Sequence, residues 1–208
     1  MGKYCGPVCR LCRVEGEKLF LKGERCFSSK CSVERREGGP GQHGKRRSKG
    51  SGYKLQLREK QKVKRTYGLL ERQFHNTFVK ASQSKGMTGT ELILRLEKRL
   101  DNMVFRMGFA YSRRHARQMV RHGIMLVNGK KVDIPSFQVS VGDVLEVRQK
   151  SKEGVATVGA LSLAQSRSIP TWINLDRDNK KATVEALPTR DQITQPMNEQ
   201  LIVELYSR

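Results

Sequence analysis

No stretch of this sequence approaches the run of about 20 apolar residues that crosses a bilayer as a helix. The opening Met-Gly-Lys-Tyr-Cys-Gly-Pro also lacks the apolar core of a secretion signal. The expectation is a soluble, cytoplasmic protein with no membrane partner. Met1-Gly2 begins like a myristoylation signal, but Gly6 stands where that signal carries Ser or Thr. Aromatic residues are scarce, at 6% of the chain, and the basic stretches 45–65 and 113–131 contain only Tyr53. Readers of single-stranded nucleic acid stack bases on aromatic platforms, so that mode of recognition is disfavoured. Acids are absent between Arg106 and Val132 and scattered singly elsewhere. The four histidines have no Cys or Ser at telling spacing, and no domain-sized segment is left over for catalysis. Gly38 to Gly52 is glycine-rich yet lacks the Gly-x4-Gly-Lys-Ser/Thr pattern of a nucleotide loop. These gaps argue against an enzyme and against a small-molecule substrate.

Cysteine is missing from the last 177 residues, because all five, Cys5, Cys9, Cys12, Cys26 and Cys31, fall in the first 31. Cys9 and Cys12 are separated by two residues and Cys26 and Cys31 by four, the pairing with which thiolates chelate one ion across a loop. A metal site is the expected reading, with zinc as the default and an iron-sulfur cluster as the alternative. Reduced buried thiols and disulfides compete with it, the latter disfavoured in a reducing cytosol and by an odd cysteine count. Cys5 is a spare or an alternative ligand. Four thiolates close the coordination shell, so the metal would be structural and would supply folding energy to a segment poor in large apolar residues.

What the chain has in excess is positive charge: 41 basic against 20 acidic residues, a net of +21. A surplus of that size makes a compact state repel itself unless a polyanion neutralises it, and nucleic acid is the expected partner. Residues 1–68 carry 19 basic and 6 acidic side chains, so +13 of the total lies at the front. Lys45, Arg46, Arg47 and Lys49 fall in the flexible Gly-rich loop, whereas His43, beyond the cysteine spacing, reads as a solvated or RNA-contacting residue. Arg58, Lys60, Lys62, Lys64 and Arg65 crowd a helical stretch, Tyr53 to Tyr67, that is polar nearly all round and so needs an external partner.

Phe74, Phe78 and Ala81 sit at helical spacing, and Thr88-Gly-Thr-Glu91 has the capping-box pattern that opens Leu92, Leu96, Leu100, Met103, Val104 and Met107. Both stripes read as core. Ser112 is a good N-cap, and Arg113, Arg114, Arg117 and Arg121 follow it before Gly123. Arg113, Arg117 and Arg121, four apart, line one helix face, while Ala116, Met119 and Val120 form an apolar stripe. With no acids nearby, the three arginines are expected to bind RNA rather than pair internally. Ile124 to Val127, the turn dipeptide Asn128-Gly129, and Lys130-Lys131 read as a hairpin. A second strand pair is expected from Phe137, Val139 and Val141 through Gly142-Asp143 to Val144–Val147. Val155 to Ser168 fits helix or linker, and Thr171 to Leu175 and the alternating Leu201 to Tyr206 read as strands.

Arg99-Leu-Asp-Asn, Ser112-Arg-Arg-His-Ala-Arg-Gln, Val127-Asn-Gly and Val141-Gly-Asp resemble the RNA-binding module named after small-subunit ribosomal protein four. The likeness extends through Gly6-Pro-Val-Cys-Arg-Leu-Cys, Leu21-Lys-Gly-Glu-Arg-Cys, Pro40-Gly-Gln-His-Gly, Leu57-Arg-Glu-Lys-Gln-Lys, Glu71-Arg-Gln-Phe and Met197-Asn-Glu-Gln-Leu-Ile-Val-Glu-Leu-Tyr-Ser-Arg to the bacterial-type family of that protein. The resemblance implies an α+β fold in three parts. A metal-bound Cys-rich segment with the basic loop spans 1–50, a helical domain spans 51–98, and a small helix-plus-antiparallel-sheet module spans 99–164, with the tail 165–208 packing back on the helical domain. It implies a structural protein that binds small-subunit ribosomal RNA and nucleates assembly of its 5′ domain. It further implies contact with ribosomal protein five, an influence on accuracy, a place near the channel where messenger RNA enters, and in some lineages repression of its own messenger.

Two other classes compete. Similar modules are appended to RNA-modifying enzymes, but no residues here are placed for chemistry. In a zinc-dependent transcription factor the recognition helix lies beside the metal, whereas Arg113 is about 80 residues from Cys31.

Overall fold

The computed structural model describes residues 2–44, 50–164, 169–193 and 196–207. Lys45, Arg46, Arg47 and Lys49, the expected contacts of the basic loop, lie outside the described residues. In chain order the helices are α1 (Val8–Glu15), α2 (Ser32–Arg35), α3 (Gly52–Thr66), α4 (Glu71–Ser82), α5 (Thr88–Glu97), α6 (Leu100–Arg106), α7 (Arg113–Arg121), α8 (Gln149–Lys152), α9 (Val155–Ala164) and α10 (Glu199–Tyr206). The strands are β1 (Met125–Val127), β2 (Lys130–Lys131), β3 (Val144–Val147), β4 (Ile173–Asp176) and β5 (Lys181–Val184). The chain divides into two compact units, Met1–Ile93 with Gln195–Arg208, and Leu94–Thr194.

In the first unit, Ser51 caps α3 by accepting a hydrogen bond from the Lys54 backbone N–H at 3.2 Å. The stripe expected on α4 is core, with Phe74 and Ala81 fully buried and Phe78 nearly so. The segment read as an alternating strand, Leu201 to Tyr206, is instead the helix α10, which packs along α3. Its apolar run of Leu, Ile, Val, Leu and Tyr satisfies period 2 and period 3.6 alike, and long-range contacts decide between them. Ile202 is buried, Tyr206 one turn on packs its ring 4.5 Å from that of Phe78, and Gln56 of α3 donates to Glu204 at 2.9 Å. The Glu59 carboxylate accepts the Asn198 backbone N–H at 2.8 Å, fixing the start of α10.

In the second unit the sheet is antiparallel with strand order β2-β1-β3-β5-β4. Alternation along β1, β3 and β5 buries one face, contributed by Met125, Val127, Leu145, Val147, Ala182 and Val184, in one core with Val104 of α6, the adjacent Met107, and Ala116, Met119 and Val120 of α7. The Asn128-Gly129 turn has positive φ at both residues, 50° and 76°, the geometry whose twist matches a hairpin.

Two features depart from the sequence expectations, and one open reading is decided. The tail is split, because β4 and β5 extend the sheet through β3 (Val144↔Thr183, Leu145↔Ala182) and only α10 returns to the first unit. The physical reason is the open edge of β3, which β5 fills. The segment Phe137–Val139 does not pair with β3; it runs against the kink between α5 and α6, where the Leu100 N–H donates to Phe137 and the Val139 N–H to Lys98, both at 2.9 Å. These bonds satisfy the backbone groups exposed by the break at extended Arg99, which is why the stripe from Leu92 to Met107 is two helices rather than one. Of the segment read as helix or linker, Val155 to Ala164 is helical, and residues 165–168 lie outside the described residues.

Candidate nucleic-acid interface

The arginines of α7 fall on two faces. Ser112 caps the helix, its hydroxyl accepting from the His115 N–H at 3.3 Å, and Gly123 leaves it with φ 66°. Arg113, only 8% exposed, donates to Asn102 Oδ1 at 2.7 Å and lays its guanidinium 4.6 Å above the Phe105 ring. Arg117 donates to Asp101 at 3.1 Å. Asp101, 4% exposed, also takes both arms of the Arg99 guanidinium at 3.1 and 2.9 Å. Glu97 anchors the other half of this network, accepting from Asn102 at 2.7 Å and from both arms of Arg106 at 2.9 and 2.7 Å. The expectation that Arg113 and Arg117 lack internal partners is therefore corrected. Acids are absent from 106–132, but α6 brings Asp101 and Asn102 of the preceding segment against the α7 face that carries positions 113 and 117.

Arg114 and Arg121 point the other way and are exposed, as are Lys130 and Lys131 of the hairpin. Among the described residues none of these four pairs with a carboxylate. Lys131 folds back over the end of α7, its Cε only 2.1 Å from where a Cβ on Gly123 would sit, so the glycine lets the hairpin cation lie against the end of that helix. His115 belongs to the scaffold. Burial pushes its pKa down, its Nδ1 accepts from the Tyr111 N–H at 3.4 Å, and its ring stacks on Tyr111.

Five of the cations of α3, Arg58, Lys60, Lys62, Lys64 and Arg65, are engaged by the chain's own acids. Arg58 and Arg65 both donate to Glu15 at the end of α1, whose side chain is 2% exposed. Lys60 and Lys64, one turn apart, hold the two oxygens of Glu71 at 2.5 and 2.7 Å, and Lys62 pairs with Glu59 at 2.9 Å and Glu17 at 3.7 Å. The external partner that this polar helix requires is supplied in part from within the protein. Partial burial pushes the Glu71 carboxyl up, but the two lysine hydrogen bonds and charges outweigh it and hold the pKa at about 2. Burial first, and then the neighbouring Glu71 charge, push the Tyr206 phenol up. Its hydroxyl donates to Glu71 at 3.1 Å, tying α10 to α4.

All five cysteines are free thiols; Cys12, Cys26 and Cys31 are buried, Cys9 is half-buried and Cys5 is exposed. The four expected ligands share one lobe. Burial, and after it the charges of Cys26, Cys9 and Cys31, push the Cys12 thiol up, and Cys26 is raised by burial and then by Cys31 and Cys9. Even so, among the described residues no three His, Cys, Asp or Glu side chains converge into a group able to hold a metal ion. The same lobe contains a cavity of about 530 Å³ walled by cations. Charge counting locates those cations in the first 68 residues but cannot show that the fold gathers them around one hollow. Sequence reading likewise missed Glu97, Asp101 and Asn102 as partners of the arginines, although the Arg99-Leu-Asp-Asn motif contains two of them.

Residues 3–97 match the family described as "Ribosomal protein S4/S9 N-terminal domain" and residues 98–145 match the S4 domain. Over 100% of both chains, the sequence is 57% identical to "Small ribosomal subunit protein uS4" of Desulfatibacillum aliphaticivorans and 55% identical to the protein of the same name from Pelobacter propionicus. It is 58% identical to that of Desulfotalea psychrophila over 209 aligned positions, again with 100% of each chain covered.

Proposed function

The chain belongs to the uS4 family of small ribosomal subunit proteins, and from that premise we propose that it binds small-subunit ribosomal RNA chiefly through Arg114, Arg121, Lys130 and Lys131 of its S4 domain. It is a structural component of the small subunit with an RNA-binding module, not an enzyme. The observation that carries the proposal is the division of α7. Two arginines are used to seat the helix, and the two that face outward, with the hairpin lysines, have no carboxylate to satisfy them among the described residues. Lys45, Arg46, Arg47 and Lys49 add contacts from the basic loop. Arg58, Lys60, Lys62, Lys64, Arg65, Arg113 and Arg117 contribute less to affinity, because each already holds a carboxylate or amide partner whose loss would offset a phosphate contact.

With few aromatic residues and its charge on rigid helices, the protein selects a folded RNA by the placement of its phosphates rather than by base sequence. The family resemblance supports the finer roles: nucleating assembly of the 5′ domain, touching ribosomal protein five and the messenger near its entrance to the subunit, and repressing its own messenger. In-cell crosslinking with sequencing tests the reading. Small-subunit ribosomal RNA should dominate the bound fraction, with crosslinked peptides from 113–131, whereas transfer RNA or duplex DNA as the main species would refute it.

For the cysteine lobe we propose that Cys9, Cys12, Cys26 and Cys31 hold one structural metal ion, zinc by default and an iron-sulfur cluster as the alternative. Their shared lobe and the burial of Cys12, Cys26 and Cys31 support this, as does the paucity of apolar core around them. Elemental analysis of protein purified anaerobically should find about one equivalent of metal per chain, unchanged in Cys5→Ser. Folded protein free of metal would end the proposal.

A further inference from the structure

The cation-walled cavity lies in the cysteine lobe, and its lining includes none of the residues assigned above to RNA binding. Arg10 and Arg13 of α1 form one wall, and Lys22, Arg25 and Lys30 come from the loop that carries Cys26. Arg35 of α2 and the adjacent Arg36 complete the cations, and Pro7, Cys9, Ser32, Pro40 and Gly41 are the rest of the lining. Among the described residues no carboxylate lines the cavity. Arg13 is a strut, its guanidinium donating to the carbonyls of Gly38 and Gly39 at 3.2 and 2.8 Å and holding the 38–41 segment in place. The other six cations have no carboxylate partner among the described residues; Glu24 and Glu37, next to Arg25 and Arg36 in sequence, form no ion pair with them, and three other nearby acids are committed elsewhere. Glu34 pairs with Lys18, Glu15 with Arg58 and Arg65, and Glu17 with Lys62.

We propose that this cavity is a binding site for a compact cluster of phosphate groups. Six like charges around about 530 Å³ repel one another, and a dense anion relieves that repulsion. The volume is that of a small-ligand cavity, but such cavities are mostly apolar, whereas this one offers charge-assisted donors from three segments. One phosphate carries a charge of about −2 at most and matches a third of the cations, so several adjacent phosphates fit better. They come from a sharply folded stretch of RNA backbone or from a free oligophosphate. The RNA source rests on the ribosomal reading above; the free source does not.

Two variants of the full-length protein with equal loss of charge separate this site from the general field: Arg10→Gln/Arg25→Gln/Arg35→Gln in the cavity and Arg114→Gln/Arg121→Gln/Lys131→Gln in the S4 domain. Calorimetric titration with tripolyphosphate should show at least about tenfold weaker binding for the cavity variant and little change for the other. If RNA is the source, prebound ribosomal RNA blocks tripolyphosphate and the cavity variant also binds that RNA less well; if the source is free oligophosphate, RNA affinity is unaffected while tripolyphosphate binding is still lost. Equal losses in both variants, or wild-type protein that binds tripolyphosphate no better than sulfate, would overturn the proposal. Protein that binds no ribosomal RNA yet takes tripolyphosphate in the cavity would refute only the ribosomal reading. Should the cavity variant fail to fold, phenylglyoxal modification of the unaltered protein decides. Tripolyphosphate must shield Arg10, Arg25 and Arg35 but not Arg114, and equal shielding of all four contradicts the site.

Discussion

Replacing Asp101 by Ala is the perturbation that separates a structural arginine network from an RNA-binding one. Asp101 is 4% exposed and accepts three hydrogen bonds at 2.9–3.1 Å, two from Arg99 and one from Arg117. Removing it leaves two guanidinium charges at the α6–α7 contact with no carboxylate between them. Breaking a buried ion pair from one side costs about 3–5 kcal/mol, mainly the desolvation of the charge left behind. Trp172 is the sole tryptophan, 4% exposed and packed in the same core, so its fluorescence reports unfolding of this unit. With a urea slope of about 1–3 kcal/mol/M, the midpoint should fall by more than about 1 M. Arg117→Ala should cost less, since Arg99 still satisfies Asp101, and the double-mutant cycle should show coupling of about 1 kcal/mol or more. A loss under about 1 kcal/mol for Asp101→Ala with no coupling would refute the network. So would an Arg117→Ala variant that keeps its stability but loses as much RNA affinity as Arg121→Ala.

The Glu71 cluster should make the first unit acid-labile. The carboxyl is held at about 2 in the folded protein against 4.5 in its ordinary state, so its contribution is complete above pH 4.5 and is lost as pH falls toward 2. The side chain is 48% exposed and screening reduces the effect; Glu71→Gln should flatten the dependence of circular-dichroism melts on pH in that window, and an unchanged slope would show the lysine contacts to be inert. Gly123→Ala places a Cβ at φ 66° and against Lys131, so it should cost about 1 kcal/mol or more by urea unfolding and lower RNA affinity by displacing that lysine. Reduced stability with full RNA affinity would remove Lys131 from the interface.

Much of the second unit was legible because its signals are local. Ser112, Gly123 and Asn128-Gly129 each dictate a cap or turn by their own chemistry, and the burial of Ala116, Met119 and Val120 follows from their spacing. The parts that were not legible depend on contacts distant in sequence. Whether Leu201–Tyr206 becomes helix or strand is settled by Gln56, Glu59 and Phe78, more than 100 residues away. The break at Arg99 exists because residues 135–139 arrive to bond its backbone. The same limit misassigned cations. A run of lysines and arginines on α3 looks unneutralised until Glu15 and Glu71 are folded against it, and Arg113 and Arg117 look free until α6 supplies Asp101 and Asn102. The converse holds in the cysteine lobe, where cations separated by up to 26 residues, from Arg10 to Arg36, are gathered around one cavity.

Whether phosphate meets the outward cations of the S4 domain rather than the paired ones is decided most directly by the salt dependence of binding to small-subunit ribosomal RNA. Removing a cation that neutralises one phosphate lowers the slope of log K against log salt by roughly 0.7–0.9. Arg114→Gln/Arg121→Gln/Lys131→Gln should therefore reduce the slope by about 2–3, and Lys60→Gln/Lys64→Gln/Arg65→Gln by less than about 1. Equal reductions, or a larger one from the α3 variant, would contradict the assignment.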